Sequence, residues 1–458
     1  MKNQGDCVVV VGLGKIGLPL ALQIVGKGRR VVGVDINPQT VDLINQGKEP
    51  FPGEFNLAGR LSEAIRSRQL QATTDSTEAV RNASEVIIVV PLYVDDAGVP
   101  DFTSIDVATS LVGSGIGKGT LVSYETTVPV GTTRNRFALA LARESGLAVG
   151  TDFHVVFSPE RVLTGRVFAD LRRYPKLVGG VTTECGKRGS DFYASILDFD
   201  DRSDLKRPNS VWNLGNCEAA ELAKLAETTY RDVNIALANQ FAKFAGKNDI
   251  DIHAVIEACN SQPFSHIHQP GIAVGGHCIP IYPQMYLWND PEAAIVRAAR
   301  ETNWSMPEHY IQMLEDAHGS LRGESVLILG ASYRGDVKET SFSGVFAVVD
   351  ALKERGAKCW VTDPYYSEEE LTELGLPSEG RIEDVTAVVI QADHFKFREL
   401  DLRRFPQLRT VLNGRSATLK IDDNQAVENA NGKAPAWPPI LRPTKKLDAA
   451  VIKTTITS

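Results

Sequence analysis

One cysteine lies in a stretch with little side-chain bulk around it. The segment VGGHCIPIYP places Gly275 and Gly276 just before Cys278, and Pro280 two residues after it. A lone cysteine is ordinarily a small buried hydrophobe, and that role needs no bare, stiffened backbone. A nucleophilic thiol does gain from such access, because it can capture an aldehyde as a thiohemiacetal and carry it on to a thioester. The segment predicts a covalent catalyst at Cys278, whereas we expect plain packing roles for the other cysteines, at 7, 185, 217, 259 and 359.

Oxidation through a thioester also needs a hydride acceptor, and the N-terminus offers a site for one. Gly12, Gly14 and Gly17 form G-x-G-x-x-G between the β-branched run CVVVV and an apolar helix, and Asp35 closes the next predicted strand. These glycines permit a tight turn, close approach to a pyrophosphate, and packing of the helix on the strand. Asp35 would accept hydrogen bonds from ribose hydroxyls, and no arginine follows it to hold a 2′-phosphate. NAD is therefore predicted rather than NADP.

The elements that position these residues follow an α/β pattern. Buried strands alternate with helices over the first two hundred residues. The pattern changes to one long amphipathic helix from about residue 213, and a second strand–helix array begins at the segment ESVLILGASY. The predicted fold has two Rossmann-like, doubly wound parallel-sheet domains joined by a helical middle domain with a long central helix. The predicted segments are an NAD-binding Rossmann domain, a helical central domain, a second Rossmann-like domain and a flexible tail, at 1–205, 206–318, 319–430 and 431–458.

Composition narrows the classes of partner. The 458 residues carry a net charge of −8, which argues against nucleic acid or an anionic membrane surface as the main partner. No signal peptide or membrane-spanning run is visible. The six cysteines form no CxxC pair, which favours reduced thiols in the cytoplasm and no metal site.

Three polar residues share one face of the long helix. Lys224, Thr228 and Arg231 stand at positions i, i+4 and i+7. Such a stripe can line a site, or it can be a solvated face.

Six motifs in order resemble those of the UDP-glucose/GDP-mannose dehydrogenase family, from the N-terminus to about residue 420. They are GLGKIGLPLA, ETTVPVGTT, SPERVLTGRVFADL, AELAKLAETTYRDVNIALANQFA, PGIAVGGHCIP and VLILGASYRGDVKET. Members of this family use two NAD to oxidise C6 of a nucleotide sugar to a carboxylate, and they form homodimers. The resemblance implies the same reaction, the same cofactor, a UDP-sugar substrate and a homodimer here. It also implies that the segment 206–318 is the dimerisation domain and that the segment 319–430 binds the nucleotide sugar.

The resemblance also assigns roles to individual residues. It implies that Cys278 is the nucleophile, Glu160 the base that activates water, Lys224 the donor to the oxyanion, and Thr127 a group that holds a water or donates near the alcohol. The implied cofactor contacts are Gly12, Gly14, Ile16, Gly17, Asp35, Pro91, Thr127 and Arg334. The implied substrate contacts are Glu160, Arg161, Val162, Lys224, Thr228, Arg231, Gly275, His277 and Tyr333.

The chain departs from the family pattern at five positions. Thr228 stands where members commonly have asparagine, and Ile281 with Tyr282 replaces the Lys-Asp pair of glucose-oxidising members. Either Lys224 with a water or another group must therefore assist the first proton transfer. Arg334 and Ser341 replace a lysine and an arginine of the third domain, which leaves the contacts to the nucleotide open.

The motifs GGHCIP, SPERV and YRDVN resemble the branch that acts on UDP-N-acetylhexosamines. UDP-N-acetylmannosamine or UDP-N-acetylglucosamine is thus the expected substrate, with UDP-glucose as the alternative. His277 and Arg231 are candidates to contact the sugar or its acetamido group, although His277 could instead orient the cysteine or cap its loop. Two other classes remain open: a two-electron sugar-acid or hydroxyacid dehydrogenase that does not need Cys278, and a non-catalytic NAD-binding protein.

Overall fold

The computed structural model describes residues 7–95, 97–415 and 440–441. The chain divides into two compact units, Met1–Glu227 with Gln284–Pro291 and Thr228–Pro283 with Glu292–Ser458. The predicted flexible tail lies outside the described residues, except for the short strand Ile440–Leu441. Among the described helices, none combines the length and the apolar character that a membrane span requires.

The first unit is built around ten strands. These are β1 (Cys7–Val11), β2 (Arg30–Val34), β3 (Leu70–Thr73), β4 (Glu85–Ile88), β5 (Tyr93–Val94), β6 (Pro100–Asp101), β7 (Leu121–Tyr124), β8 (His154–Phe157), β9 (Lys176–Gly180) and β10 (Val211–Asn213). The helices are α1 (Gly17–Gly26), α2 (Pro38–Asn45), α3 (Leu57–Arg66), α4 (Ser76–Val80), α5 (Thr103–Gly113), α6 (Leu139–Ser145), α7 (Val167–Arg173) and α8 (Thr183–Ile196), with a π-helical turn at Thr133–Ala138 before α6.

Eight of these strands form one sheet in the order β10-β9-β8-β7-β4-β1-β2-β3. The run from β3 to β8 is parallel and has the strand order of a dinucleotide-binding fold, in which the order reverses between β1 and β4. Strand β9 is antiparallel to β8. Its first residue therefore lies at the sheet edge where β7 and β8 end.

The burial of β1 explains its sequence. All five residues of CVVVV are buried, because helices cover both faces of a parallel sheet. Helices α1, α3, α7 and α8 contribute apolar side chains to the same core as the strands.

The long helix α9 spans Cys217–Lys247, as the apolar spacing predicts, and the chain's division into units falls within it. The remaining helices are α10 (Ile252–Asn260), α11 (Tyr282–Asn289), α12 (Ala294–Trp304), α13 (Met306–His318), α14 (Val345–Glu354) and α15 (Glu368–Glu373). Single 3-10 turns cover Ile382–Asp384, Phe395–Glu399 and Leu402–Arg404.

The second unit contains a five-stranded sheet in the order β12-β11-β13-β14-β15. Its strands are β11 (Ser325–Leu329), β12 (Lys358–Thr362), β13 (Ala387–Ile390), β14 (Thr410–Asn413) and β15 (Ile440–Leu441). All pairs are parallel except β14–β15. The predicted α/β fold with a helical middle region and a second strand–helix array is therefore confirmed.

Candidate active site

The glycine turn after β1 is shaped by close backbone approaches. Gly12 has a φ of +95°, and a Cβ there would lie 2.9 Å from the carbonyl oxygen of Val89, which follows β4. A Cβ at Gly17 would lie 1.8 Å from the carbonyl oxygen of Gly12, so α1 can start there only with glycine. A Cβ at Gly14 would meet nothing within 4 Å. Gly14 therefore borders open space in front of the first turn of α1.

Asp35 lies directly after β2 and holds this turn. Its Oδ2 accepts a hydrogen bond from Leu13 N at 2.9 Å, and its Oδ1 accepts one from Asn37 N at 2.9 Å. Each carboxylate oxygen has a second lone pair, so the group can still accept from a ribose hydroxyl. Ile16 occupies the N-cap position of α1, and Pro91 is exposed beyond β4.

These features fit a dinucleotide. The open space at Gly14 lies before the N-terminus of α1, where free N–H groups favour a pyrophosphate, and Asp35 closes the neighbouring strand as a ribose acceptor. The residues that would hold NAD are Gly12, Gly14, Gly17 and Asp35, with Ile16 and Pro91 bordering the turn.

A buried cluster of charges lies at the same edge of the first sheet. Glu125 follows β7, Glu160 follows β8 by three residues, and Lys176 opens the antiparallel strand β9. Lys176 Nζ lies 2.8 Å from Glu125 Oε2 and 3.0 Å from Glu160 Oε2, and only 4% of its side chain is exposed. Tyr193, on α8, donates its hydroxyl to Glu125 Oε1 at 2.5 Å.

The two carboxyl groups of this cluster titrate in opposite directions. Burial raises the pKa of Glu125, an effect that the nearby Lys176 only partly offsets. Burial also acts on Glu160, but the charge of Lys176 and the backbone N–H of Arg161 outweigh it and hold the pKa of Glu160 below its ordinary value. Glu160 is therefore ionised at neutral pH.

Three further charged side chains extend from this cluster. Arg161 donates through Nε to Glu227 Oε2 at 2.9 Å, and Lys224 Nζ lies 3.6 Å from Glu227 Oε1. Glu160 and Lys224 are thus connected through Arg161 and Glu227 within the first unit. Lys224 is buried, which contradicts the alternative of a fully solvated helix face at this position.

Four more predicted contacts lie in the loops after β7 and β8 and on α9. Thr127 is buried in the loop after β7, and its neighbour Thr126 donates through Oγ1 to Val90 O at 2.6 Å. Val162 is half-buried against the core of the unit. Thr228 is buried on α9, whereas Arg231 is exposed there.

The loop that carries Cys278 belongs to the second unit and is fixed by its backbone. Gly276 N donates to Ser341 O at 2.9 Å. Gly276 has a φ of +92°, and a Cβ there would lie 2.9 Å from the ring of Tyr333. At Gly275 a Cβ would lie 2.6 Å from Phe342 O. The glycines are therefore required by the close approach of the loop that follows β11.

Arg415 also fixes the loop that carries Cys278. Its guanidinium donates to Ala273 O at 2.9 Å, to Tyr333 O at 2.9 Å and to Gln391 O at 2.7 Å. It therefore joins the cysteine loop, the loop after β11 and the end of β13. The sequence analysis missed this residue, because no motif marks an arginine whose partners are backbone carbonyls.

Cys278 itself is half-buried at the end of this loop, ahead of α11. Its carbonyl accepts from Tyr282 N at 2.9 Å. His277 is exposed, and its Nε2 lies 3.5 Å from Glu339 Oε2. Among the other cysteines, Cys7, Cys185 and Cys217 are buried, and those at 259 and 359 are half-buried.

The second sheet has an aspartate in a position that corresponds to Asp35, but the surroundings of its carboxylate differ. Asp363 follows β12 and accepts through Oδ2 from Ala331 N at 2.8 Å, as Asp35 does from Leu13 N. The same oxygen also lies 2.9 Å from His394 Nε2, and the Asp363 side chain is fully buried. Asp363 is therefore closed to a ribose. Tyr333 is half-buried and Arg334 exposed on the loop beside it.

Taken together, a sheet of dinucleotide-binding order, its glycine turn and Asp35 define a dinucleotide-binding domain. The chain belongs to the UDP-glucose/GDP-mannose dehydrogenase family, whose NAD-binding, central and UDP-binding domain models match residues 6–197, 218–305 and 327–420. It is accordingly an oxidoreductase that uses NAD and acts on a UDP-sugar.

Its relatives include enzymes that act on two kinds of sugar. A UDP-N-acetyl-D-mannosamine dehydrogenase of Pyrococcus horikoshii is 32% identical over 89% of this chain and 95% of its own. A solved structure of UDP-D-ManNAc dehydrogenase from that organism has a TM-score of 0.80 at 30% identity, covering 90% of this chain and 96% of its own. A UDP-glucose dehydrogenase of Pyrobaculum islandicum has a TM-score of 0.79 at 26% identity, covering 92% and 98%.

Proposed function

We propose that this enzyme oxidises the C6 alcohol of a UDP-N-acetylhexosamine, N-acetylmannosamine or N-acetylglucosamine, to the uronate in two oxidations at one carbon. NAD supplies the hydride acceptor for each. The observation that carries the proposal is the setting of Cys278, a half-exposed thiol at the end of a loop fixed by Gly275, Gly276 and Arg415.

The cysteine holds the intermediate between the two oxidations. The first oxidation removes a hydride and a proton from the alcohol and leaves an aldehyde. The Cys278 sulfur then adds to the aldehyde carbon and gives a thiohemiacetal, so the second oxidation yields a thioester. Lys224, cationic and buried, stabilises the oxyanion in these steps. Thr127 holds a water or donates to the reacting alcohol.

Glu160 serves the final hydrolysis. It takes a proton from water, the hydroxide adds to the thioester carbon, and the C–S bond breaks to release the carboxylate and the thiol. The lowered pKa of Glu160 supports this role, because a base must be ionised before it can accept the proton. Arg161 connects it to the lysine through Glu227, which supports a shared position for the two.

The sugar assignment has separate support. The 32% identity to a UDP-N-acetyl-D-mannosamine dehydrogenase favours an N-acetylated sugar. UDP-glucose remains the second candidate, because a UDP-glucose dehydrogenase has a nearly equal TM-score. His277, Arg231 and Thr228 would contact the sugar, and Tyr333 with Arg334 would contact the nucleotide or the cofactor.

The test measures the NADH formed per sugar consumed. Purified protein is incubated with NAD and each of UDP-N-acetylmannosamine, UDP-N-acetylglucosamine, UDP-glucose and GDP-mannose. We expect two NADH per N-acetylated sugar and at most one with Cys278→Ser, because the second oxidation needs the thiohemiacetal. Cys259→Ser is the matched control, since this thiol is also half-buried in the second unit, and it should retain the wild-type rate.

Other outcomes identify the rival functions. One NADH per sugar, unaffected by Cys278→Ser, would identify a two-electron dehydrogenase. NAD binding without reduction by any sugar of the panel would identify a non-catalytic protein.

We also infer a homodimer that works in the cytoplasm. Tyr230, Leu237, Phe241 and Phe244 are exposed along α9, and a run of large apolar side chains on one helix supports an interface between two copies. A reduced catalytic thiol and the NAD requirement support the cytoplasm. Light scattering of the purified protein should give twice the chain mass, and Phe244→Glu should give the monomer.

A further inference from the structure

Glu125 and Lys176 are buried charged groups to which the reaction above assigns no role. Both belong to the first unit, and both contact Glu160 or its immediate partner. Burying an ion is costly unless it is paired, so a buried group of three charges requires an explanation.

The strand directions explain how the three meet. Strands β7 and β8 are parallel, so Glu125 and Glu160 leave the sheet at the same edge. Strand β9 runs the other way, with Phe157 paired to Gly179, and so it starts where β7 and β8 end. Lys176 is therefore placed between the two carboxylates by topology.

The cluster contains one more acid than base. With Lys176 charged and both carboxylates ionised, the cluster carries a buried net negative charge before hydrolysis, so it can take up one proton that neutralises it. That proton belongs on Glu125, because Glu125 is fully buried whereas Glu160 also receives the backbone N–H of Arg161 at 2.7 Å. Tyr193 and Ser123 extend the hydrogen bonds of Glu125 inward, with 2.7 Å between their hydroxyl oxygens.

We propose that Lys176 and Glu125 are positioning residues behind the base: Lys176 orients and ionises Glu160, and Glu125 stores the proton that Glu160 takes from water. This rests on the proposed function. When Glu160 becomes protonated, its proton passes to Lys176 as Lys176 releases one to Glu125. The cluster gains one proton in total, Glu160 is ionised again, and the proton returns to solvent by the reverse path.

The charged and titratable groups that face Glu125 are Lys176, Glu160 and Tyr193, and the hydroxyls of Ser123 and Ser158 interact in turn with Tyr193. Burial raises the pKa of Glu125 to about 7, which is suitable for a group that gains and loses a proton near neutral pH.

The experiment separates hydrolysis of the thioester from the oxidations. Glu125→Gln keeps the size of the side chain but cannot take up a proton. In single-turnover mixing with NAD and the substrate found above, we expect NADH formation within about twofold of wild type and release of the uronate slowed about tenfold or more. Mass spectrometry should show the acyl group retained on Cys278. The dependence of the hydrolysis rate on pH near 7 should disappear.

The matched control is Glu85→Gln. Glu85 is a buried glutamate of the same sheet, at the opposite end of the strands, paired with Arg29 at 2.6 Å and with Arg188. The variant Glu85→Gln should lower the melting temperature as Glu125→Gln does, and it should leave the rate of thioester hydrolysis unchanged. Equal hydrolysis rates and pH profiles in Glu125→Gln and wild type would overturn the proposal.

Variants at two further positions keep the test decisive if Glu125→Gln does not fold. Tyr193→Phe removes a donor that favours ionised Glu125, so the pH profile of hydrolysis should move to higher pH. Lys176→Arg, which keeps the cation, should retain more hydrolysis than Lys176→Met, and an unmoved profile in Tyr193→Phe would reject the proton store. Failure of the proposed function is distinguishable, because it would appear in the wild type as fewer than two NADH per sugar.

Discussion

Glu221 Oε1 lies 2.8 Å from the backbone nitrogen of Thr133, and Glu221 Oε2 lies 2.6 Å from that of Gly131. Through these two bonds the start of α9 holds the loop that follows Thr127. The Glu221 side chain is fully buried, and burial raises its pKa to about 7. The burial of this carboxyl group, which its hydrogen bonds to the loop only partly offset, therefore makes the protein sensitive to pH.

Glu221 should destabilise the fold as the pH rises. Its pKa is higher in the folded chain than the value of 4.5 taken for an unperturbed glutamate. Its contribution is therefore fully present below about pH 4.5 and is lost as the pH rises through 7. Relative to Glu221→Gln, the wild type should lose up to about 3 kcal/mol of unfolding free energy between these limits, which urea unfolding at several pH values would measure.

The control for that measurement is Glu218, whose contribution to stability should depend on pH in the opposite direction. Glu218, one turn earlier, pairs with Arg134 at 2.5 Å, and this bond lowers its pKa. Its contribution is present above the ordinary glutamate range and is lost as the pH falls, so Glu218→Gln should lose stability chiefly at neutral pH. A parallel pH dependence for the two variants would contradict the assignment.

The glycines of the first turn should separate folding from cofactor binding. Gly17→Ala would place a methyl group 1.8 Å from Gly12 O, a backbone atom that cannot move aside, so we expect a loss of several kcal/mol or no folded protein. Gly14→Ala meets no atom and should leave the melting temperature within about 2 °C. It should nonetheless weaken NAD binding, measured by calorimetry, because its methyl group fills the space for the pyrophosphate. Equal melting temperatures for the two variants would refute this division.

The Cys278 loop should depend on Gly276 and not on Gly271. Gly276→Ala is strained twice, by a φ of +92° and by the ring of Tyr333 at 2.9 Å. Gly271→Ala meets Gly414 O only at 3.5 Å, an ordinary contact. We expect Gly276→Ala to change the alkylation rate of Cys278 by about tenfold. A shift of about 1 Å in a reacting group has effects of this size or more. Gly271→Ala should react as the wild type does, and the alkylation rate followed by mass spectrometry would show it.

Sequence reasoning performed best where one local pattern determined one local structure. CVVVV followed by GLGKIG predicted β1, the turn and α1, and Asp35 lies where the spacing placed it. The buried cluster was missed because Glu125, Glu160 and Lys176 come from three segments, and only the reversal of β9 joins them. A signal was present: a lysine at the head of the apolar strand KLVGG is unusual unless an acid pairs with it. Arg415 gave no signal, since backbone carbonyls leave no trace in the sequence.

Asp232 and Arg300 form a buried ion pair inside the second unit, and breaking it should cost more than removing it. Asp232 Oδ1 accepts from Arg300 at 2.6 Å and from Asn303 Nδ2 at 2.8 Å, with both charged side chains almost fully buried. Burial raises the pKa of Asp232 and lowers that of Arg300, so for each group desolvation outweighs the attraction.

Asp232→Asn leaves a buried guanidinium without its counter-charge and should lower the unfolding free energy by about 3 to 5 kcal/mol. Arg300→Met together with Asp232→Asn should recover most of that loss, since neither charge is then desolvated. Exposed Glu308, which pairs with Arg355 at 2.6 Å, is the control, and Glu308→Gln should cost less than about 1 kcal/mol. Urea unfolding of the three variants gives the comparison. A double variant no more stable than Asp232→Asn would mean that the pair itself, rather than the relief of an unpaired charge, stabilises the contact between α9 and α12.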